Sequence, residues 1–115
     1  MARYEKEIYA VEILRDTQTG VAVTESWKLN GEHHRVDGPA SISRDPETGN
    51  LRGESWFKTG KLHREGGPAN IEYNAKNGRI TYSTWLLNGE KIPRPTKPRR
   101  ASKSTPNAGI KTPST

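Results

Sequence analysis

A chain of 115 residues with 30% hydrophobic side chains, one Phe and one Met is long enough for one domain and too poor in apolar material for a large globular core. It has no cysteine, which excludes disulfides and thiolate-held metals, and no apolar run approaches the ~18 residues of a membrane span. The net charge of +6 hides a division: Lys91, Arg94, Lys97, Arg99, Arg100, Lys103 and Lys111 lie in residues 91–115 with no acid beside them, leaving 12 of the 19 basic residues against all 13 acidic ones before them. A nearly neutral body, residues 1–90, is therefore expected to carry a strongly basic tail, residues 91–115.

The opening residues, Arg3-Tyr4-Glu5-Lys6-Glu7, are charged and lack the apolar stretch of a secretory signal, so the expectation is a soluble protein made inside a cell. A strand-like segment follows at Glu5–Val11. From there a 29-residue period governs the chain. Trp27, Trp56 and Trp85 repeat at that spacing, as do Ile13, Ile42 and Ile71, and Gly20, Gly49 and Gly78. Glu25-Ser26-Trp27 matches Glu54-Ser55-Trp56, His34-Arg35 matches His63-Arg64, and Gly38-Pro39-Ala40 matches Gly67-Pro68-Ala69. Each unit predicts an Ile-containing strand (residues 40–44 or 69–73) and a polar loop ending in Gly, which suits a bulged hairpin. A strand running to Trp comes next. A two-residue reversal at Asn30-Gly31, Thr59-Gly60 or Asn88-Gly89 follows. A short His-Arg strand and a Gly-Pro corner close the unit. In the last unit, alternation places Ile80, Tyr82, Thr84 and Leu86 on one face, with Trp85 and Leu87 on the other. Ile92-Pro93 stands where His-Arg would recur, and the repeat stops.

The expected fold is all-β: an antiparallel β-meander of tandem 29-residue hairpin repeats with an extended C-terminal tail. Units that touch only their neighbours form a quasi-one-dimensional stack. Trp27, Trp56 and Trp85 are expected to form a structural ladder through it, each burying roughly 150–250 Å2.

The run Trp56-Phe57-Lys58-Thr59-Gly60-Lys61-Leu62-His63-Arg64-Glu65-Gly66-Gly67-Pro68-Ala69 resembles the repeat W-x-x-N-G-K-x-H-R-x-D-G-P-A of small proteins from bacteriophages and giant viruses. That repeat is similar in pattern to MORN repeats, which form hairpin meanders around Asn-Gly turns. The resemblance covers roughly residues 10–93. It implies a β-meander and a viral origin, and it implies no reaction. Asp37 keeps the motif's acid in the first unit; Glu65-Gly66-Gly67 departs from it in the second.

His33, His34 and His63 are the only histidines. His34, Arg35, His63 and Arg64 recur with the repeat, so they read as folding positions or contacts along a sheet edge, with each Arg stacked on Trp or paired with Asp37 or Glu65. No metal site, cofactor or catalytic residue is assigned. Ser26 and Ser55 are explained by repetition, and nucleophile-elbow, phosphate-loop and zinc-enzyme motifs are lacking. The expectation is a protein without enzymatic activity.

The tail carries the partner-binding expectation, on Lys91, Arg94, Lys97, Arg99, Arg100, Lys103 and Lys111. Proline-rich and nearly free of apolar side chains, it cannot offset its ordering entropy by burial, and it suits an acidic surface or phosphates. Three functions follow. The first is a viral protein-binding module in the host cytoplasm that inhibits a defence nucleoprotein complex, of CRISPR type or similar. The second is a virion or decoration protein with a lacing arm. The third is a nucleic-acid binder acting through the tail. No membrane partner is expected, and a one-layer sheet leaves the oligomeric state open.

Overall fold

The computed structural model describes residues 3–95. The strands are β1 (Tyr9–Arg15), β2 (Ala22–Leu29), β3 (Glu32–His33), β4 (Ser41–Arg44), β5 (Leu51–Ser55), β6 (Phe57–Lys58), β7 (Lys61–Leu62), β8 (Asn70–Tyr73), β9 (Ile80–Thr84), β10 (Leu86–Leu87) and β11 (Glu90–Lys91). The molecule is all-β and antiparallel. The main sheet runs β1-β2-β4-β5-β8-β9, with β3 paired to the end of β2, while β6-β7 and β10-β11 form separate two-stranded hairpins. The meander and its period are as the sequence predicts. Helix is absent among the described residues, so none there is long and apolar enough to cross a membrane.

Local chemistry places the reversals. Asn30, Thr59 and Asn88 have φ of 50°, 44° and 51°, each followed by a glycine at 83–86°. Two consecutive left-handed residues make the tight hairpin turn whose twist matches that of the strands. The loops after β1, β4 and β8 are built on one side chain each. Asp45 Oδ1, for example, accepts from the N–H groups of Glu47 and Thr48, and Asp16 and Asn74 repeat the arrangement. A bulge follows in each hairpin, opposite Leu14/Arg15, Ser43/Arg44 and Glu72/Tyr73.

Strand register sorts the side chains into two faces, because direct partners project to the same side. One row reads Ile13, Glu25, Ile42, Glu54, Ile71, Ser83 across the sheet. Ile42 and Ile71, with Ala40, Ala69 and Leu86, are the buried apolar residues. Each buried Ile is worth about 1.5–3 kcal/mol. The acids between them are covered: Glu25 pairs with Arg44, and Glu54 accepts from the Tyr73 hydroxyl at 2.8 Å, one period on. The opposite face carries a polar row, Glu12 followed by the smaller Ser26, Ser41, Ser55, Asn70 and Thr84.

Four details differ from the sequence reading. The first strand begins at Tyr9, not Glu5, because Asn30 draws the preceding backbone into its turn: Asn30 N–H donates to Ile8 C=O, and Ile8 N–H to Asn30 Oδ1. Alternation does not run from Ile80 to Leu86. The main strand ends at Thr84 and the chain bends at Trp85 into β10, so Leu86 is buried while Ile80 and Tyr82 are exposed. The boundary drawn at Glu90 falls inside β11, and Ile92 N–H still bonds to Trp85 C=O at 2.9 Å. The tryptophans are not consecutive rungs. Ala40 lies between Trp27 and β5, and Ala69 between Trp56 and β9: Trp27 N–H donates to Ala40 C=O, and Ala40 N–H to Ser55 C=O. Two strand spacings, roughly 9.5 Å, therefore separate successive Trp-bearing strands, and the rings are half-buried.

Candidate functional site

The repeated motif residues converge on a sandwich. The chain leaves β3 through His34 and Arg35 and returns through Gly38-Pro39-Ala40. Arg35 curls back inside this loop and lays its guanidinium over the Trp27 ring, 3.8 Å from the centroid. Arg64 does the same over Trp56, also at 3.8 Å. Arg35 Nη1 donates to Pro39 C=O at 3.3 Å, and Arg64 Nη1 to Pro68 C=O at 3.2 Å. The fourth side is glycine. A Cβ on Gly38 would stand 2.9 Å from the Arg35 guanidinium carbon, and one on Gly67 would stand 2.7 Å from that of Arg64. Trp, Arg and Gly thus form one folding device. Such a stack is worth about 0.5–2 kcal/mol, depending on desolvation. Within it, the indole N–H groups of Trp27 and Trp56, and Arg35 Nε, are buried and make no hydrogen bond.

The acids expected to share in this device have minor parts. Asp37 reaches Arg35 at 3.7 Å from an exposed position. Glu65 approaches His63 at 3.9 Å rather than Arg64. In the third unit Pro93 takes the arginine position; Arg94, one residue on, lines an open groove with Pro68, Ile80, Tyr82 and Trp85.

The histidines join units. Thr59 N–H, in the turn of the second hairpin, donates to His34 Nδ1 at 3.0 Å. Asn88 N–H, in the turn of the third, donates to His63 Nδ1 at 2.9 Å. Backbone bonds flank each joint: Gly60 N–H to His33 C=O and Gly89 N–H to Leu62 C=O, both 2.8 Å, with Arg35 N–H to Phe57 C=O and Arg64 N–H to Leu86 C=O at 3.3 and 3.2 Å. His33 stacks on Phe57 with centroids 4.9 Å apart. Each imidazole therefore accepts at Nδ1, which leaves its proton on Nε2 in the neutral form. Among the described residues no cluster of three or more His, Asp or Glu could hold a metal.

Between successive joints lies an open groove of about 330 Å3, bordered by His34, Arg35, Trp56, Phe57, His63 and Arg64. The sequence-selected edge residues thus meet in one place. Lys91 sits in β11. Lys97, Arg99, Arg100, Lys103 and Lys111 lie outside the described residues.

Two ionisable groups are shifted on the Ile–Glu face. The Arg44 hydrogen bond holds the Glu25 carboxyl below its ordinary value, against a smaller opposing effect of burial. Burial, helped by the Glu54 carboxylate, pushes Tyr73 up to about 12. Comparison of the chain with protein-family models, curated proteins and solved structures finds no match.

Proposed function

We propose that this chain is a non-enzymatic protein-binding module that uses the open polar face of its sheet as a platform. The observation that carries this reading is the composition of that face. Ser26, Ser41, Ser55, Asn70 and Thr84 form one row, and Thr24, Ser43, Gly53, Glu72 and Tyr82 the next; none is buried. Ser, Gly and Asn give adaptable hydrogen bonding and Tyr a rigid contact surface, the mixture that antibody loops use. The basic residues from Arg94 onward would add attraction to an acidic or phosphate-bearing surface. The finer reading follows the viral repeat that the sequence resembles: an inhibitor of a host defence nucleoprotein complex, acting in the host cytoplasm.

The test is expression in a host carrying such a defence system, with purified virions assayed in parallel. Inhibition should restore phage plating, and Ser41→Arg with Ser55→Arg should abolish the effect without changing the circular dichroism spectrum. Unaltered immunity, with the protein recovered stoichiometrically in virions, would replace this reading with that of a virion component. Tail contacts to phosphate would show as a log–log salt slope of roughly −0.7 to −0.9 per phosphate neutralised, flattened by about two contacts on loss of Arg99 and Arg100.

A further inference from the structure

The outer strand β1 is not equivalent to the strands inside the sheet. Ile42 and Ile71 are 7% and 5% exposed because a strand flanks them on each side. Their counterpart Ile13 is 49% exposed, since β1 has β2 on one side and, among the described residues, no strand on the other. Ile8, Tyr9, Val11 and Leu14 are exposed along the same edge. Edge strands in monomers are ordinarily blunted by Lys, Pro, bulges or brevity. β1 has seven residues and neither Lys nor Pro. Its one irregularity is a bulge placed at the far end.

Hydrogen-bond parity shows what this edge offers. Asn30 N–H bonds to Ile8 C=O, so Ile8, Ala10, Glu12 and Leu14 turn their backbone groups toward β2. Tyr9, Val11 and Ile13 turn theirs outward. An antiparallel partner must oppose outward-facing residues to outward-facing residues, which permits few registers.

We propose that this protein forms a two-fold dimer by antiparallel pairing of β1 with β1 of a second copy, with Val11 facing Val11 across the axis. In that register Tyr9 faces Ile13, Ile8 faces Leu14, Glu7 faces Arg15, and Ala10 faces Glu12. Every large apolar side chain exposed on the edge meets an apolar one, and each end gains an opposite-charge pair. The register shifted one way sets Glu12 against Glu12. The register shifted the other way sets Ile13 against Glu7 and Leu14 against Lys6. Cross-strand pairs contribute roughly 0.2–1 kcal/mol each and like charges oppose pairing, so the Val11-centred register wins. The inference goes beyond the function proposed above and does not depend on it.

The rival continuation is head to tail, with β9 of one copy against β1 of the next, which would make an open filament. The repeat's own joint is missing at that seam. Pro93 has no N–H to give where Arg35 and Arg64 donate, and Ile92 has no ring nitrogen where His34 and His63 accept. Asn30 N–H, the counterpart of the Thr59 and Asn88 donors, is already bonded to Ile8 C=O.

Sedimentation velocity of the full chain across the micromolar range should give twice the 12.8 kDa chain mass. Val11→Lys should weaken dimerisation by about 100-fold or more, because like charges then meet on the axis, and Val11→Asp should do the same. Both variants should keep the parental circular dichroism spectrum. An equimolar mixture of the two should dimerise again, which only a two-fold contact at Val11 explains. The chain has no cysteine, so Val11→Cys offers a single thiol. Across the axis the two thiols would sit in a hydrogen-bonded pair with Cα atoms about 5.5 Å apart, a gap that a short bismaleimide bridges without straining the strands. Val11→Cys should be joined by that reagent into a covalent dimer, and Thr81→Cys on the β9 edge should not. A monomer at every concentration overturns the proposal. So does crosslinking at Thr81→Cys equal to that at Val11→Cys, or a charge-swapped mixture that stays monomeric.

Discussion

The arginine sandwich ties tryptophan, arginine and glycine to one geometry, and each can be tested alone. Gly67→Ala puts a methyl group 2.7 Å from the Arg64 guanidinium carbon, so the lid must leave the Trp56 ring. A cost of about 0.5–2 kcal/mol, the worth of the stack, is expected, measured by urea unfolding. Arg64→Ala removes the lid directly. The double variant should cost less than the sum of the two, because both act through one contact; additive losses would show that Gly67 matters for another reason. Thr59 is the converse case. It is β-branched and holds φ at 44° where the other two units have Asn, a conformation that strains a branched side chain. Thr59→Asn should stabilise the domain by about 0.5–1 kcal/mol, or a few degrees of melting temperature, with the Thr59 N–H bond to His34 retained. A lower melting temperature would mean that the threonine side chain has a role of its own.

The turns and bulged loops were legible in the sequence because each is set by a backbone requirement within a few residues: two left-handed residues at Asn30-Gly31, an Asx side chain at Asp45. The joints between units were not. His34 and Thr59 are 25 residues apart, as are His63 and Asn88. That spacing does not coincide with the period, so self-comparison cannot reveal it, and the histidines read only as repeated positions. The tryptophan ladder failed for a related reason: period gives equivalence, while contact depends on how many strands lie between equivalents. The acid–base pairs of the Ile–Glu face belong to this scale too, since each spans neighbouring strands. Glu25 has its folded pKa lowered by Arg44. Its contribution is therefore fully present above the unfolded carboxylate value of about 4.3 and lost as pH falls through the lowered folded value. Glu25→Gln should flatten that acid limb of a melting-temperature profile and leave the slope above pH 6 unchanged. Tyr73 behaves in the opposite sense. Raised to about 12, it favours the fold below its unfolded value of about 10 and loses that contribution as pH rises through 12. In an alkaline absorbance titration the parent should show a tyrosine step near 12 that the Tyr73→Phe variant lacks.

Across the whole molecule, stability is distributed along a row of similar joints, so damage should be graded by position. Trp56 stands in the middle unit with joints on both sides. Trp56→Ala should cost about 3–5 kcal/mol, and Trp85→Ala less, since no arginine occupies the Pro93 position above it. Equal losses at both, in denaturant titrations, would argue against a row of nearest-neighbour terms. Removing residues 96–115 spares β11 and the Ile92 bond to Trp85, so the melting temperature should shift by a few degrees at most, whereas a cut at residue 90 should cost far more. The repeated joint also bears on how such a chain can change in length. Because His34 meets the second turn as His63 meets the third, a duplication of any 29 consecutive residues between His34 and Lys91 rebuilds the same contact at the seam. Any other length turns part of the Ile row toward the polar face or parts a histidine from its turn. Recombination within the gene would therefore yield folded products in quantised sizes, each wider than the last by two strands, about 9.5 Å, without a new contact having to arise.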